Sequence, residues 1–218
     1  MSGSLEVCKI YTFEPNAKQL EFLSSHATEV FLTGPNQYGG KTFTLQCAVA
    51  MHSTGRYPTG YQGPRATRAG VYIVFSKTSM NNLAQMIYPL IPEAFEMTHI
   101  HGAGWIPPTD YDLDEDCFIS RTAPSYIRVD FHDESGEVAG KSTIYFMSYG
   151  MGWEAVAGHT VNGVFGNETP PPEMYTEMKA RINMAPGGFA KLMIAACPLE
   201  DEPVVYYQFK DAADGRYM

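Results

Sequence analysis

The run Gly34-Pro-Asn-Gln-Tyr-Gly-Gly-Lys-Thr42 gathers the residue types that hold phosphate. It follows a short β-rich stretch, Glu29 to Leu32. It precedes a stretch from Thr42 to His52 whose apolar residues Phe43, Leu45, Cys47, Ala48 and Met51 read as a helix. Strand, Gly-rich turn and helix start are the order that phosphate binding needs. The backbone N–H groups of Asn36, Gln37, Tyr38, Gly39 and Gly40, with the positive end of the helix, would wrap phosphate oxygens. Lys41 would neutralise the terminal phosphates, and the Thr42 hydroxyl would serve Mg²⁺. Gly39 and Gly40 let the backbone approach closely, because neither carries a Cβ. The spacing departs from G-x4-G-K-[ST] at one point: the first glycine should stand at position 35, which is Pro35, and Gly34 lies one residue earlier.

Hydrolysis of a phosphoanhydride needs a second strand that ends in acidic residues beside such a loop. Val161-Asn-Gly-Val-Phe-Gly-Asn-Glu168 is the downstream apolar strand that ends in this way. Glu168 is expected to polarise the attacking water, and Asn167 to take the metal-side position where an aspartate is usual. An asparagine supplies an oxygen but no negative charge. Loss of such a partner typically costs ~10–100-fold in metal affinity or activity.

Other clusters read as structural. The acidic run Asp110 to Asp116 (DYDLDED) lies between turn signals and is expected to be a solvated loop rather than a metal site. His99 and His101 would share one face of a strand, with no third ligand nearby for a metal. The four cysteines are far apart and form no CxxC pair, which argues against a zinc ribbon and for reduced thiols.

These residues need a scaffold, and the hydrophobic pattern supplies one. Pro15 to His26 reads as an amphipathic helix, Gly55 to Gly70 as a loop, and Val71 to Phe75 as a strand buried on both faces. Ser79 to about Phe95 reads as a helix that Pro89 and Pro92 should break towards its end. Tyr126 to Phe131 and Thr143 to Met147 flank a polar connection and suggest an antiparallel hairpin. Val161 to Phe165 and Leu192 to Ala196 are further buried strands. The alternation predicts an α/β fold with a mainly parallel central sheet flanked by helices and a local antiparallel hairpin, and the Gly34 to Thr42 loop makes a P-loop NTPase the expected form of it. At 218 residues, one domain (1–218) is expected. The net charge of −9 and 44% hydrophobic content exclude a disordered acidic tail and disfavour a free-standing nucleic-acid clamp. No apolar run nears the roughly 20 residues of a membrane span, and no signal peptide is expected.

The ordered motifs resemble the N-terminal ATPase domain of the large terminase subunit, the DNA-packaging motor of tailed bacteriophages. FEPNAKQLEF (Phe13 to Phe22) resembles the family's adenine-side segment, which places Gln19 at the base edge and Phe13 beside it. GPNQYGGKT, TGRYPTGYQG (Thr54 to Gly63) and Ile144 to Ile182 resemble the phosphate loop, the loop after the first helix and the acidic-strand region. AACPLED (Ala195 to Asp201) resembles the coupling segment, with Ala196, Cys197 and Pro198 at its centre. Cys197 stands where a hydroxyl residue is usual.

The resemblance implies an additional-strand (ASCE) ATPase that binds ATP and Mg²⁺. It would work as a ring of identical subunits on the capsid portal, with the small terminase subunit, and translocate duplex DNA in the host cytoplasm. It implies no membrane partner, and the family's C-terminal nuclease is not expected within these residues. Ring motors commonly place an arginine on the γ-phosphate. The phosphate loop holds none, which makes Arg121, Arg128 and Arg181 the candidates, supplied in cis or in trans. Two alternatives remain open at this stage: a nucleotide-gated assembly module that hydrolyses weakly because of Asn167, and a helicase-like ATPase acting on single strands.

Overall fold

A computed structural model describes residues 8–34, 40–119, 124–152, 154, 158, 160–183, 189–197 and 203–211. The apolar runs become the strands of its centre. β1 (Glu29–Thr33), β2 (Val71–Ser76), β6 (Gly163–Asn167) and β7 (Lys191–Ala196) are short and almost wholly buried, as strands covered on both faces must be. With β3 (Cys117–Ile119), β4 (Pro124–His132) and β5 (Val138–Ser148) they form one seven-stranded sheet of order β1-β7-β6-β2-β5-β4-β3. Pairing is parallel from β1 through β5, and β4 and β3 extend the sheet antiparallel. The predicted α/β architecture is therefore observed. β7 lies between β1 and β6, the inserted position that defines the additional-strand class.

Alternate residues along each strand feed two cores. Val30, Leu32, Tyr72, Val74, Phe165 and Met193 face the side covered by α2 (Ala17–Ser24) and α3 (Lys41–Thr54). Phe31, Ile73, Phe75, Val164, Leu192 and Ile194 face α7 (Pro172–Asn183) and α8 (Pro203–Asp211). By this alternation, Asn167 falls on the same face as Phe165, the side of α3.

Two expected elements change shape. The hairpin connection is far shorter than predicted: Val138 to Ser142 belong to β5, paired with His132, Phe131, Asp130 and Val129. Asp133 makes the tight turn, its Oδ1 accepting from the backbone N–H of Ser135 and of Glu137. The other change follows β2. The helix gains a π-helical turn (Leu83–Ile87) between α4 (Ser79–Asn82) and α5 (Tyr88–Leu90), and it breaks at Ile91, before Pro92, towards its end as expected. Pro89 accounts for the π-helical turn in part. It has no N–H for the carbonyl of Gln85 four residues back, and its ring would clash there. The Gln85 carbonyl instead accepts from Gln46 Nε2 at 2.5 Å. His99 and His101 lie on a short helix, α6 (Thr98–His101), not on a strand.

The acidic run is not a solvated loop throughout. Asp110 and Asp116 are each 1% exposed. Asp110 accepts from Arg56 Nε (2.7 Å) and Nη2 (2.9 Å) and lies 3.2 Å from His132 Nε2. Asp116 pairs with Lys141 and with Arg128 Nε, the latter at 3.2 Å. The cations come from distant segments, so spacing within the run could not reveal them. No group of His, Cys, Asp and Glu that could hold a metal occurs among the described residues. Cys8, Cys47 and Cys197 are free and buried, and no helix of the described residues is long and apolar enough to cross a membrane.

His52, fully buried near the end of α3, makes acid stability testable. Burial, and then the charge of Lys191, push its pKa down to about 3. The unfolded chain takes a proton on this residue below its ordinary value of 6.5, and the folded chain does not. The unfolded state thus binds more protons in that window, so His52 contributes stability above pH 6.5 that is lost as pH falls toward 3. Between pH 7 and pH 5 the expected loss is about 2 kcal/mol. Urea titrations of the native chain and of His52→Gln at both pH values measure it; an equal loss in the variant would remove His52 as the cause.

Candidate functional site

The parallel strands end in one row. Register pairs Thr33 with Ala196, Ala195 with Asn167, Asn167 with Ser76, and Ser76 with Ser148. Ligands of open α/β sheets bind off this carboxyl edge. α3 starts here on Gly40, which is left-handed (φ 57°) and lies so close to α2 that a Cβ would sit 2.8 Å from Gln19 Nε2. The left-handed turn requires glycine. Lys41 Nζ reaches back to the Gly34 carbonyl at 2.8 Å, closing the loop end to end. Asn36, Gln37, Tyr38 and Gly39 lie outside the described residues.

Thr42 Oγ1 donates to Asn167 Oδ1 at 3.1 Å, joining residues 125 apart in sequence. Asn167 is fully buried, and its Nδ2 donates to Gln85 Oε1 at 2.6 Å. Both ends of the amide are thereby engaged. Glu168 follows in a left-handed conformation (φ 84°) and is half-buried. Its N–H donates to the Ala195 carbonyl (3.1 Å), and its carbonyl accepts from Tyr149 Oη (2.8 Å). Such backbone costs about 1–3 kcal/mol in a non-glycine residue and persists where its surroundings hold it. Tyr149 stacks on Phe75, ring centroids 5.6 Å apart. It fits because residue 166 is glycine: a Cβ there would meet Tyr149 Oη at 2.9 Å. Burial, and then the Glu168 charge, push the Tyr149 phenol well above its ordinary range, so it remains a donor.

On the other side of α3, the ring of Phe13 packs edge-on against Phe43 and Trp105, at 5.3 Å from each. Gln19 Oε1 accepts from the Asn16 N–H in a reciprocal cap that starts α2. Gln19 therefore serves the helix start while its amide nitrogen lies against Gly40. Ala196 and Cys197 are buried at the end of β7, beside β1, and Pro198 lies outside the described residues.

Of the arginines, Arg121 lies outside the described residues. Arg128 is held on β4 by Asp116 and by the Glu115 carbonyl. Arg181 is held by Glu177 one turn earlier on α7.

Sequence reasoning missed the residues behind the site. Gln85 touches Asn167. Tyr149 holds the turn at Glu168. Fully buried Asn82 donates to the Val74 and Met147 carbonyls and accepts from Ser76 Oγ, tying α4 to the ends of β2 and β5. Only Pro89, four residues beyond Gln85, carried a signal.

The inserted strand, the glycine-started helix after β1 and the polar end of β6 define a P-loop NTPase fold of the additional-strand class. No family model matches the chain. In sequence it is 29% identical over 189 residues to the large terminase subunit of Salmonella phage P22, covering 80% of this chain and 37% of that protein. The chain thus spans little over a third of that relative's length. In fold it resembles the large terminase of the thermophilic bacteriophage D6E, with TM-score 0.57 and 17% identity, over 91% of this chain and 44% of that one. The same protein in complex with ATP-γ-S matches at TM-score 0.53 and 17% identity, over 83% and 37%. The large terminase ATPase domain of Thermus phage P74-26 matches at TM-score 0.52 and 15% identity, over 92% and 71%. The resemblance to large terminases that the motifs carry is therefore met in sequence and in fold.

Proposed function

We propose that this chain is an ATP-binding and ATP-hydrolysing motor domain that drives duplex DNA into a viral capsid. The observation that carries the reading is the Thr42–Asn167 hydrogen bond. It places the first turn of α3 against the end of β6, where Glu168 turns off the sheet. The Thr42 hydroxyl and the Asn167 amide oxygen would hold Mg²⁺, more weakly than a hydroxyl and a carboxylate would, with substrate phosphates supplying the remaining ligands. When bound, the ion would neutralise charge on the β- and γ-phosphates.

The chain's own residues supply the remainder. Lys41 exchanges the Gly34 carbonyl for the terminal phosphate. Glu168 orients a water and takes its proton as the water oxygen bonds to the γ-phosphorus and the bond to the β-phosphate oxygen breaks, leaving ADP and phosphate. Phe13 and Gln19 flank the adenine side. The Glu168 N–H, bonded to the Ala195 carbonyl, links this event to Ala196, Cys197 and Pro198, the coupling segment. A ring of identical subunits on the capsid portal, working with the small terminase subunit, is the assembly this reading requires. The γ-phosphate arginine would come from a neighbouring subunit.

Replacing Lys41 with Ala should weaken ATP binding about 10–100-fold, the value of hydrogen bonds to a charged group. Calorimetry with the native chain and Lys41→Ala tests the reading, which equal affinities would overturn.

A second reading is favoured by Asn167 itself: a nucleotide-gated assembly module that binds ATP and hydrolyses it weakly. Restoring the carboxylate in Asn167→Asp then raises turnover about 10–100-fold. Steady-state phosphate release decides; no gain would place the limit elsewhere.

A further inference from the structure

We propose that Tyr149 is a positioning residue for Glu168: its hydroxyl fixes the left-handed turn from which the Glu168 side chain leaves the sheet. The proposal rests on the reading of Glu168 as the general base. The direction of a Cα–Cβ bond is set by the two rigid peptide planes that flank it. At Glu168 each plane is tied. Its N–H donates to the Ala195 carbonyl at the end of β7, at 3.1 Å. Its carbonyl accepts from Tyr149 Oη at 2.8 Å. The first bond leaves the following plane free to turn, and the second stops it. The stop matters because a glutamate does not rest at φ 84° unless something holds it there.

The fold holds the phenol itself in place. A 3₁₀ turn (Tyr149–Met151) follows β5 and carries the ring over β2, where it stacks on Phe75 with the planes 12° apart. Beneath the hydroxyl, Gly166 leaves room that a Cβ, 2.9 Å from Oη, would take. A phenol has one O–H, so its bond to a carbonyl has one polarity. Tyr149 and Phe75 belong to the core on the side of α7 and α8. Lys41 and Thr42 begin α3, which packs on the opposite face of the sheet. The tyrosine therefore acts on Glu168 from behind the sheet and reaches the reaction through that residue's main chain.

Tyr149→Phe keeps the ring and its stacking and removes only the donor. Single-turnover phosphate release and ATP-γ-S calorimetry are measured on the native chain, Tyr149→Phe, Glu168→Gln and the double variant. Tyr149→Phe should release phosphate about 10-fold more slowly, the effect of losing one buried hydrogen bond. Its ATP-γ-S affinity should be unchanged, which also shows that the variant is folded. In the Glu168→Gln background the same replacement should alter the rate by less than about twofold, because no base remains to be placed. An equal fall in both backgrounds would mean a role in the fold alone and would overturn the proposal. So would a parallel loss of affinity, or a rate that Tyr149→Phe leaves unchanged. Hydrolysis at the native rate by Glu168→Gln would overturn the reading of Glu168 as the base, and the proposal with it.

Discussion

Glu168→Gln is expected to lower ATP hydrolysis about 10²–10⁴-fold, the usual contribution of a general base, while ATP affinity is retained. The substitution keeps side-chain shape and removes the proton acceptor. It leaves intact the backbone bonds that define the turn, since the Ala195 and Tyr149 contacts are to the Glu168 main chain. In the proposed site, binding would rest on Lys41 and Thr42 rather than on Glu168. Single-turnover phosphate release with calorimetry separates the two effects. A parallel loss of binding and rate would show that Glu168 supports the loop rather than the chemistry, and an unchanged rate would remove it as the base.

Asp110→Ala should destabilise the fold by about 3–5 kcal/mol, the cost of breaking a buried ion pair from one side. Asp110 is 1% exposed and accepts from Nε and Nη2 along one edge of the Arg56 guanidinium, which is itself three-quarters buried (25% exposed), with His132 alongside. Removal strands a buried cation. Arg56 directly follows Gly55, the C-cap of α3, and His132 ends β4, so the pair ties the far end of α3 to the sheet. Urea denaturation measures the loss. A change below about 1 kcal/mol would mean the pair is worth no more than one on the surface.

What could be read in the sequence was local or periodic. Buried parallel strands announce themselves as apolar runs, and Val71 to Phe75 and Leu192 to Ala196 did so. The strand, Gly-rich turn and helix order around Lys41 needs only neighbours in sequence, as does the polar end of β6 at Asn167 and Glu168. The remainder depends on partners far away. Asp110 looked solvated because Arg56 and His132 lie 54 and 22 residues from it. Val138 to Ser142 looked like a loop because Gly140, Lys141 and Ser142 break the apolar pattern that would have marked their pairing with β4. Gln85 gave no pattern of its own, since its position follows from Pro89 locally and from Gln46 and Trp105 at long range.

The net charge of −9 bears on DNA as a partner. On the proposed motor reading, grip on duplex DNA would fall to local patches or to an assembled ring, and this chain alone should bind DNA weakly.

The central claim is that Lys41, Thr42, Asn167 and Glu168 serve one nucleotide. The most direct measurement is a crystal structure of the chain with Mg²⁺ and ATP-γ-S. The terminal thiophosphate should lie between Lys41 and Glu168, with the metal beside the Thr42 and Asn167 oxygens and Lys41 released from the Gly34 carbonyl. Nucleotide bound away from the start of α3, or seated there with Glu168 turned from the thiophosphate, would contradict the account.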